Sequence, residues 1–281
     1  VHSYVFPSVV SLPLGYDCAV PIEIEQAAAR LCAASATLRY GFRVFRAGIE
    51  LEHQQRALRF ERGALADGDP RPFQWPDQAP LGHDAPAYAE VYCEAADERA
   101  VFALKLPFST YAIYSKPGRK SFFSDNNYKY GSPPIIDQMA EFGQYVESYP
   151  VIHLDRARDL GETLVFINPY VRAINARVLT PDGRELKGIR VEPKSCAHVM
   201  LSALLRDGED RWLGQIQLTA NNRLIVFHIK HSLREPSLIS DHEHLDPFRA
   251  ESTHWPLTLR LRTAPARLLR RARAAMQTRD A

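Results

Sequence analysis

The stretch 162–191, ETLVFINPYVRAINARVLTPDGRELKGIRV, decides the fold class. Leu164 to Ile167 is a short uninterrupted apolar run closed by Asn168-Pro169, the pattern of a strand buried on both faces. Ala173 to Leu179 and Glu185 to Val191 then flank Thr180-Pro181-Asp182-Gly183, whose turn residues favour a β-hairpin. Downstream, Cys196 to Leu204 reads as a further strand ending at Asp207-Gly208. Trp212 to Thr219 and Arg223 to Ile229 read as two more strands, joined around Asn221-Asn222 as a second hairpin-like turn. So many short strands in so few residues predict an antiparallel β-sandwich or small barrel.

Upstream the same alphabet recurs. Leu38, Tyr40, Phe42 and Val44 alternate with polar or small residues, and Ile49 and Leu51 resume the period of two after Phe45. The segments 87–95 and 99–115 read as two strands around a turn. Between these regions, residues 66–86 hold five Pro, two Gly and four Asp and read as a long loop, with Phe73 and Trp75 packing part of it back onto a surface. Residues 23–36 are open to two readings, a helix or the start of the following strand.

Two helices are expected. One covers 135–149 after Pro133-Pro134, because Ile135, Ile136, Met139, Phe142, Val146 and Tyr149 fall at spacings of three and four. The other follows Pro265 in the tail. The predicted class is therefore mainly β: antiparallel β-sandwich units with a connecting helix and a basic C-terminal helix. The units run as an N-terminal sandwich-like domain over 1–131, a connecting helix and linker over 132–160, a C-terminal sandwich over 161–260 and the basic helix or tail over 261–281. Internal duplication is suggested by VFALK at 101–105 against VFHIK at 226–230, and by FFSD at 122–125 against LISD at 238–241, although the two offsets differ.

Composition narrows the function classes. The chain has 281 residues with 46% hydrophobic and 24% charged, an ordinary globular balance. Its net charge of +2 hides an uneven distribution: Thr258–Ala281 holds seven Arg and one Asp, so this segment carries +6 and the rest −4. A mildly acidic body argues against a nucleic-acid partner on charge grounds. The four Cys are scattered without a C-x-x-C pair, and no apolar run approaches the ~18 residues of a membrane-spanning helix. The opening residues lack the signature of a signal peptide, and a cytoplasmic location is the expectation.

Three segments carry candidate chemistry. His228, His231, His242 and His244 lie close in sequence with Asp241 and Glu243. On a strand, His242 and His244 share a face and could present two imidazoles to one divalent metal, with His228 and Glu243 completing the set. This H-x-H is similar to the metal-binding strand of small-barrel oxygenases in that element alone. Next, Lys116, Arg119 and Lys120 are interleaved with Phe122, Phe123, Tyr128 and Tyr130, a mixture suited to a phosphate backbone, a carbohydrate or an acidic partner. Finally, Arg267, Arg270, Arg271 and Arg273 surround a thin apolar stripe in the tail, the pattern of an element for docking a partner or touching a membrane surface. No G-x-S-x-G, G-x-G-x-x-G or phosphate-loop motif is present in the sequence.

Two functional readings follow. The first is a non-enzymatic β-sandwich binding or scaffold protein that engages a protein partner, a ligand or a second copy of itself through its loops. The second is a metal-dependent enzyme, oxygenase- or hydrolase-like, built on the cluster at 228–244.

Overall fold

The computed structural model of the chain describes residues 4–5, 8–12, 16–20, 36–62, 64–75, 86–95, 112–118, 122–124, 128–129, 145–245, 248–249, 257 and 261. Within the first half lie β1 (Tyr4–Val5), β2 (Ser8–Leu12), β3 (Asp17–Val20), β4 (Ala36–Arg46), β5 (Ile49–Glu61) and β6 (Ala64–Gly68). They are followed by β7 (Phe73–Trp75), β8 (Ala87–Ala95), β9 (Ala112–Ser115), β10 (Phe122–Ser124) and β11 (Tyr128–Lys129). In the second half come β12 (Val146–Ser148), β13 (Val151–Asp155), β14 (Leu160–Asn168), β15 (Ile174–Leu179), β16 (Glu185–Val191) and β17 (Ser195–Met200). A single 3-10 turn, Leu201–Leu204, leads to β18 (Arg211–Gln215), β19 (Gln217–Ala220), β20 (Ile225–Ser232), β21 (Ile239–Leu245) and β22 (Phe248–Arg249).

These strands form four sheets. Sheet I has seven strands in the order β11-β2-β8-β4-β5-β6, with β1 also on β8, and sheet II has four, β10-β9-β3-β7. Sheet III has five, β16-β15-β19-β12-β22, and sheet IV has six, β18-β13-β14-β20-β21, with β17 also on β14. Four sheets, antiparallel throughout, correspond to a four-bladed antiparallel β-propeller. This corrects the expected β-sandwich units; the C-terminal helix expected after Pro265 lies outside the described residues. The blades are interleaved rather than consecutive, since β3, β7, β9 and β10 of sheet II alternate in sequence with strands of sheet I.

Particular elements show why the sequence reading departed from this arrangement. Val146 to Ser148, expected to end a helix, is a buried strand pairing with β19 on one side and β22 on the other. Its partners lie about 70 and 100 residues away in sequence, and such non-local pairing overrides helical spacing. The remainder of that helix, residues 135–144, lies outside the described residues, as do 21–35 and most of the basic tail. Trp212 to Thr219, expected as one strand, is two: β18 belongs to sheet IV and β19 to sheet III, and the chain changes sheet at Ile216. Consequently Asn221-Asn222 joins strands of different sheets and is not a hairpin turn. The strand expected over Cys196 to Leu204 stops at Met200 and turns into the 3-10 segment. Around Thr180–Gly183 the expected hairpin is present, with β15 and β16 paired from Ile174↔Val191 to Leu179↔Glu185. Gly183 sits at φ +81°, a left-handed value that glycine adopts without steric cost. As for duplication, VFALK lies outside the described residues, and the two halves carry sheets of different size and strand order.

The centre of the second half is β14. It pairs with β20 along eight positions and with β17 along six, and Gly161 to Asn168 are all buried. Burial on both faces is why Leu164 to Ile167 reads as an unbroken apolar run. Val165, Phe227 and Ile225 of sheet IV pack in one core with Ile174, Ala176, Val178 and Leu218 of sheet III. Each large side chain fully buried there contributes roughly 1.5–3 kcal/mol relative to exposure. Phe45 and Tyr88 of sheet I join the same core, and the Lys194 ammonium reaches across to Glu90 at 2.7 Å. A second core gathers Tyr40, Phe42 and Val44 of sheet I with Cys18, Val20, Phe73 and Tyr114 of sheet II. Phe73 is thus a buried strand residue in a region that reads as loop.

Candidate functional site

The histidine-rich segment is the first place where sequence reading and geometry part. On β20 and β21 the register pairs His228 with Glu243, Ile229 with His242 and Phe227 with His244. His228 and Glu243 therefore share one face of sheet IV, and His242 and His244 the opposite one. The expected set of His228, His242, His244 and Glu243 cannot converge on one ion, and no group of three or more His, Cys, Asp or Glu side chains suited to a metal exists among the described residues. This overturns the reading of a metal-dependent enzyme at 228–244.

Each of these groups is held by its neighbours. His228 Nε2 lies 2.6 Å from Glu162 Oε2, while Glu162 Oε1 accepts the backbone N–H of His153 at 3.0 Å. Glu243 Oε1 lies 3.6 Å from His228 Nδ1, so the imidazole sits between two carboxylates. On the other face, His231 Nδ1 is 2.8 Å from the Ser232 carbonyl and must donate to it. Its Nε2 is then an acceptor, and the Thr163 hydroxyl donates to it at 2.8 Å. Gly161 is needed here because a Cβ would stand 2.8 Å from the His231 ring. His242 is packed between the rings of Phe227 and Tyr114, with centroids at 5.1 and 5.0 Å. Burial lowers its pKa to about 3, so this imidazole is neutral. Lys230 bridges to Asp241 at 2.7 Å; burial alone would lower its pKa, but the bond and charge of Asp241 outweigh that and raise it. His228, His231 and Lys230 are thus held by hydrogen bonds and charge, whereas His242 is held by ring packing, its Nε2 having no hydrogen-bond partner among the described residues.

The described strands of the aromatic and basic segment after Lys116 belong to two sheets. Phe122 and Phe123 lie on β10 in sheet II and Tyr128 on β11 in sheet I. The Lys116 ammonium rests 5.3 Å above the Tyr16 ring. Arg119, Lys120 and Tyr130 lie outside the described residues, as do Arg267, Arg270, Arg271 and Arg273. Cys18 and Cys196 are buried free thiols, whose pKa burial pushes up, to about 12 for Cys196.

A site that the sequence reading missed lies between sheets III and IV at one end. The β15–β16 turn, the segment after the 3-10 turn and strand β18 enclose a groove of about 490 Å³. That volume falls in the range of small-ligand sites. Thr180, Asp182 and Arg184 form one wall, Arg206 and Glu209 another, and Trp212 and Leu213 the floor. Trp212 packs against the core, while Leu213 is 58% exposed.

The two carboxylates are already engaged. The Thr180 hydroxyl donates to Asp182 Oδ1 and holds its carboxyl below the usual range, with the charge of Arg184 adding to the effect against desolvation. Glu209 Oε2 accepts the backbone N–H of Arg206 at 3.2 Å. By contrast, Arg184, Arg206 and the adjoining Arg211 make no side-chain hydrogen bond or ion pair among the described residues. Planar guanidinium groups with free donors are suited to carboxylates and other oxyanions. The sequence hides the site because Arg184 looks like turn text and Trp212 like an ordinary strand residue, and the groove exists only once three separate segments meet.

No protein-family model matches the chain, and no curated protein matches it. Among solved structures, the Pleurotus ostreatus lectin in its apo form aligns over 89% of this chain and 76% of that chain, with 8% sequence identity and a TM-score of 0.18. A superposition at that level carries no argument about fold or function.

Proposed function

We propose that the protein recognises a ligand bearing an acidic group, held in the groove between the β15–β16 turn and β18. One observation carries this reading: Arg184 and Arg206 flank an indole in a concave site whose own carboxylates are already committed to the turns. The guanidinium groups supply the oxyanion contacts, and Trp212 with Leu213 supplies an apolar surface beside them. The chemistry is recognition by charge and shape, with no reacting group assigned.

Glutarate is a suitable minimal probe, followed by chemical shifts of the Trp212 indole N–H and the Arg206 backbone. Saturable shifts at these groups are expected, together with a loss of affinity of roughly tenfold in Arg184→Gln/Arg206→Gln and weakening with added salt. Equal affinity of the double variant and the parent protein would remove the assignment.

A further inference from the structure

The floor of the groove is also the open edge of a sheet. β18 ends sheet IV, with β13 on one side and no partner strand on the other among the described residues. The backbone bonds Arg156 N–H to Asp210 O at 2.8 Å and Ile216 N–H to Pro150 O at 3.0 Å fix which residues face β13. In antiparallel pairing the bonded positions alternate. Trp212 and Gly214 therefore bond to β13, and Arg211, Leu213 and Gln215 direct their N–H and C=O groups away from it. An unpaired edge of this kind is a template for another strand. Natural sheets often protect such an edge with Pro, a bulge or an inward charge. β18 carries neither Pro nor bulge, and it pairs with β13 in unbroken register from Arg211 to Gln215.

We infer that β18 receives an extended acidic peptide segment of a partner protein by strand addition. This rests on the groove reading above and adds the partner class and the mode of binding. Charge selects the occupant: Arg184 and Arg206 line the groove and Arg211 stands on the edge strand itself, none of them making a side-chain hydrogen bond or ion pair among the described residues, although the charge of Asp182 is felt at Arg184. Backbone bonds to Arg211, Leu213 and Gln215 would supply affinity. Acidic side chains at alternate peptide positions would supply specificity by reaching the guanidinium groups.

The test uses the full chain and the blocked peptide Ac-Val-Glu-Val-Glu-Val-Glu-NH2, with its alternately N-methylated form and glutarate as controls. On adding the acidic peptide, amide exchange at Leu213 and Gln215 slows by about tenfold or more, while Trp212 and Gly214, already bonded to β13, change little. N-methylation weakens the peptide by roughly tenfold or more, because it removes backbone donors without altering charge. Gln215→Pro gives a similar loss yet still binds glutarate, since Gln215 does not line the groove and Pro is tolerated where an edge N–H faces outward. Equal binding of the peptide and its N-methylated form, with exchange at Leu213 unchanged, overturns strand addition and leaves the acidic-group reading standing. If neither peptide nor glutarate binds, both readings fall. Protection of Leu213 that rises with protein concentration alone would assign the edge to a second copy of the chain and overturn the proposal.

Discussion

At the middle of sheet IV, Glu162 meets His228 at 2.6 Å and Thr163 meets His231 at 2.8 Å, whereas at the edge of the same sheet Arg211 and the neighbouring Arg184 and Arg206 make no side-chain hydrogen bond or ion pair among the described residues. The first set is closed in by strands on both sides, where an unpaired polar group would cost about 1–3 kcal/mol or more. The second set borders open space, where solvated guanidinium groups cost little and keep their donors available. Residue type alone points to the histidines as the chemistry. Pairing reverses that: the histidines hold the fold, and the arginines are left to meet something else.

The sharpest way to break this contrast is Glu162→Leu. It leaves His228 without its acceptor and the His153 N–H unpaired, and is expected to cost about 3 kcal/mol in urea unfolding. Adding His228→Leu should recover part of the loss, as expected for a coupled pair; strict additivity would show that the two groups are independent.

His242 gives the next largest effect through pH. Burial holds its folded pKa at about 3 against the ordinary histidine value of 6.5, so below about pH 6.5 the unfolded chain takes up a proton that the folded one refuses. Stability from this group is complete above pH 6.5 and falls by about 1.4 kcal/mol per pH unit down to about pH 3. His242→Phe should flatten that portion of a denaturation-against-pH profile, and an unchanged slope would place the proton elsewhere. Thr163→Val removes one buried donor to His231 and should lower stability by about 1 kcal/mol, read from the same urea curves. Smallest of all, Arg184→Gln and Arg206→Gln should move stability by less than about 0.5 kcal/mol while weakening glutarate binding. A large loss of stability there would mean that these arginines belong with the structural set.

Much of the strand content is legible in the sequence where the signal is local. The turn Thr180–Gly183 announces its hairpin through residues suited to it, and Leu164 to Ile167 announces a strand buried on both faces. Where the signal is non-local, the sequence misleads. Trp212, Ile216 and Leu218 keep a period of two straight across the change of sheet, so nothing in the pattern marks the break. Val146 and Tyr149 satisfy helical spacing, yet Val146 to Ser148 is fixed by strands far along the chain. In the histidine segment the spacing of His242 and His244 correctly places them on one face, but the register with β20 sends His228 to the other. The groove was beyond reach for the same reason, because its arginines are far apart in sequence and ordinary in context.

The change of sheet at Ile216 has a mechanical consequence. With one residue between β18 and β19, and the Ile216 N–H bonded to Pro150 O, two sheets share a single seam. Neither can peel away from the other without tearing that seam, so a force applied along β18 is handed directly to β19. Residues 145–245 should then yield in one event, like cloth stitched along a common hem, rather than as two layers parting in turn.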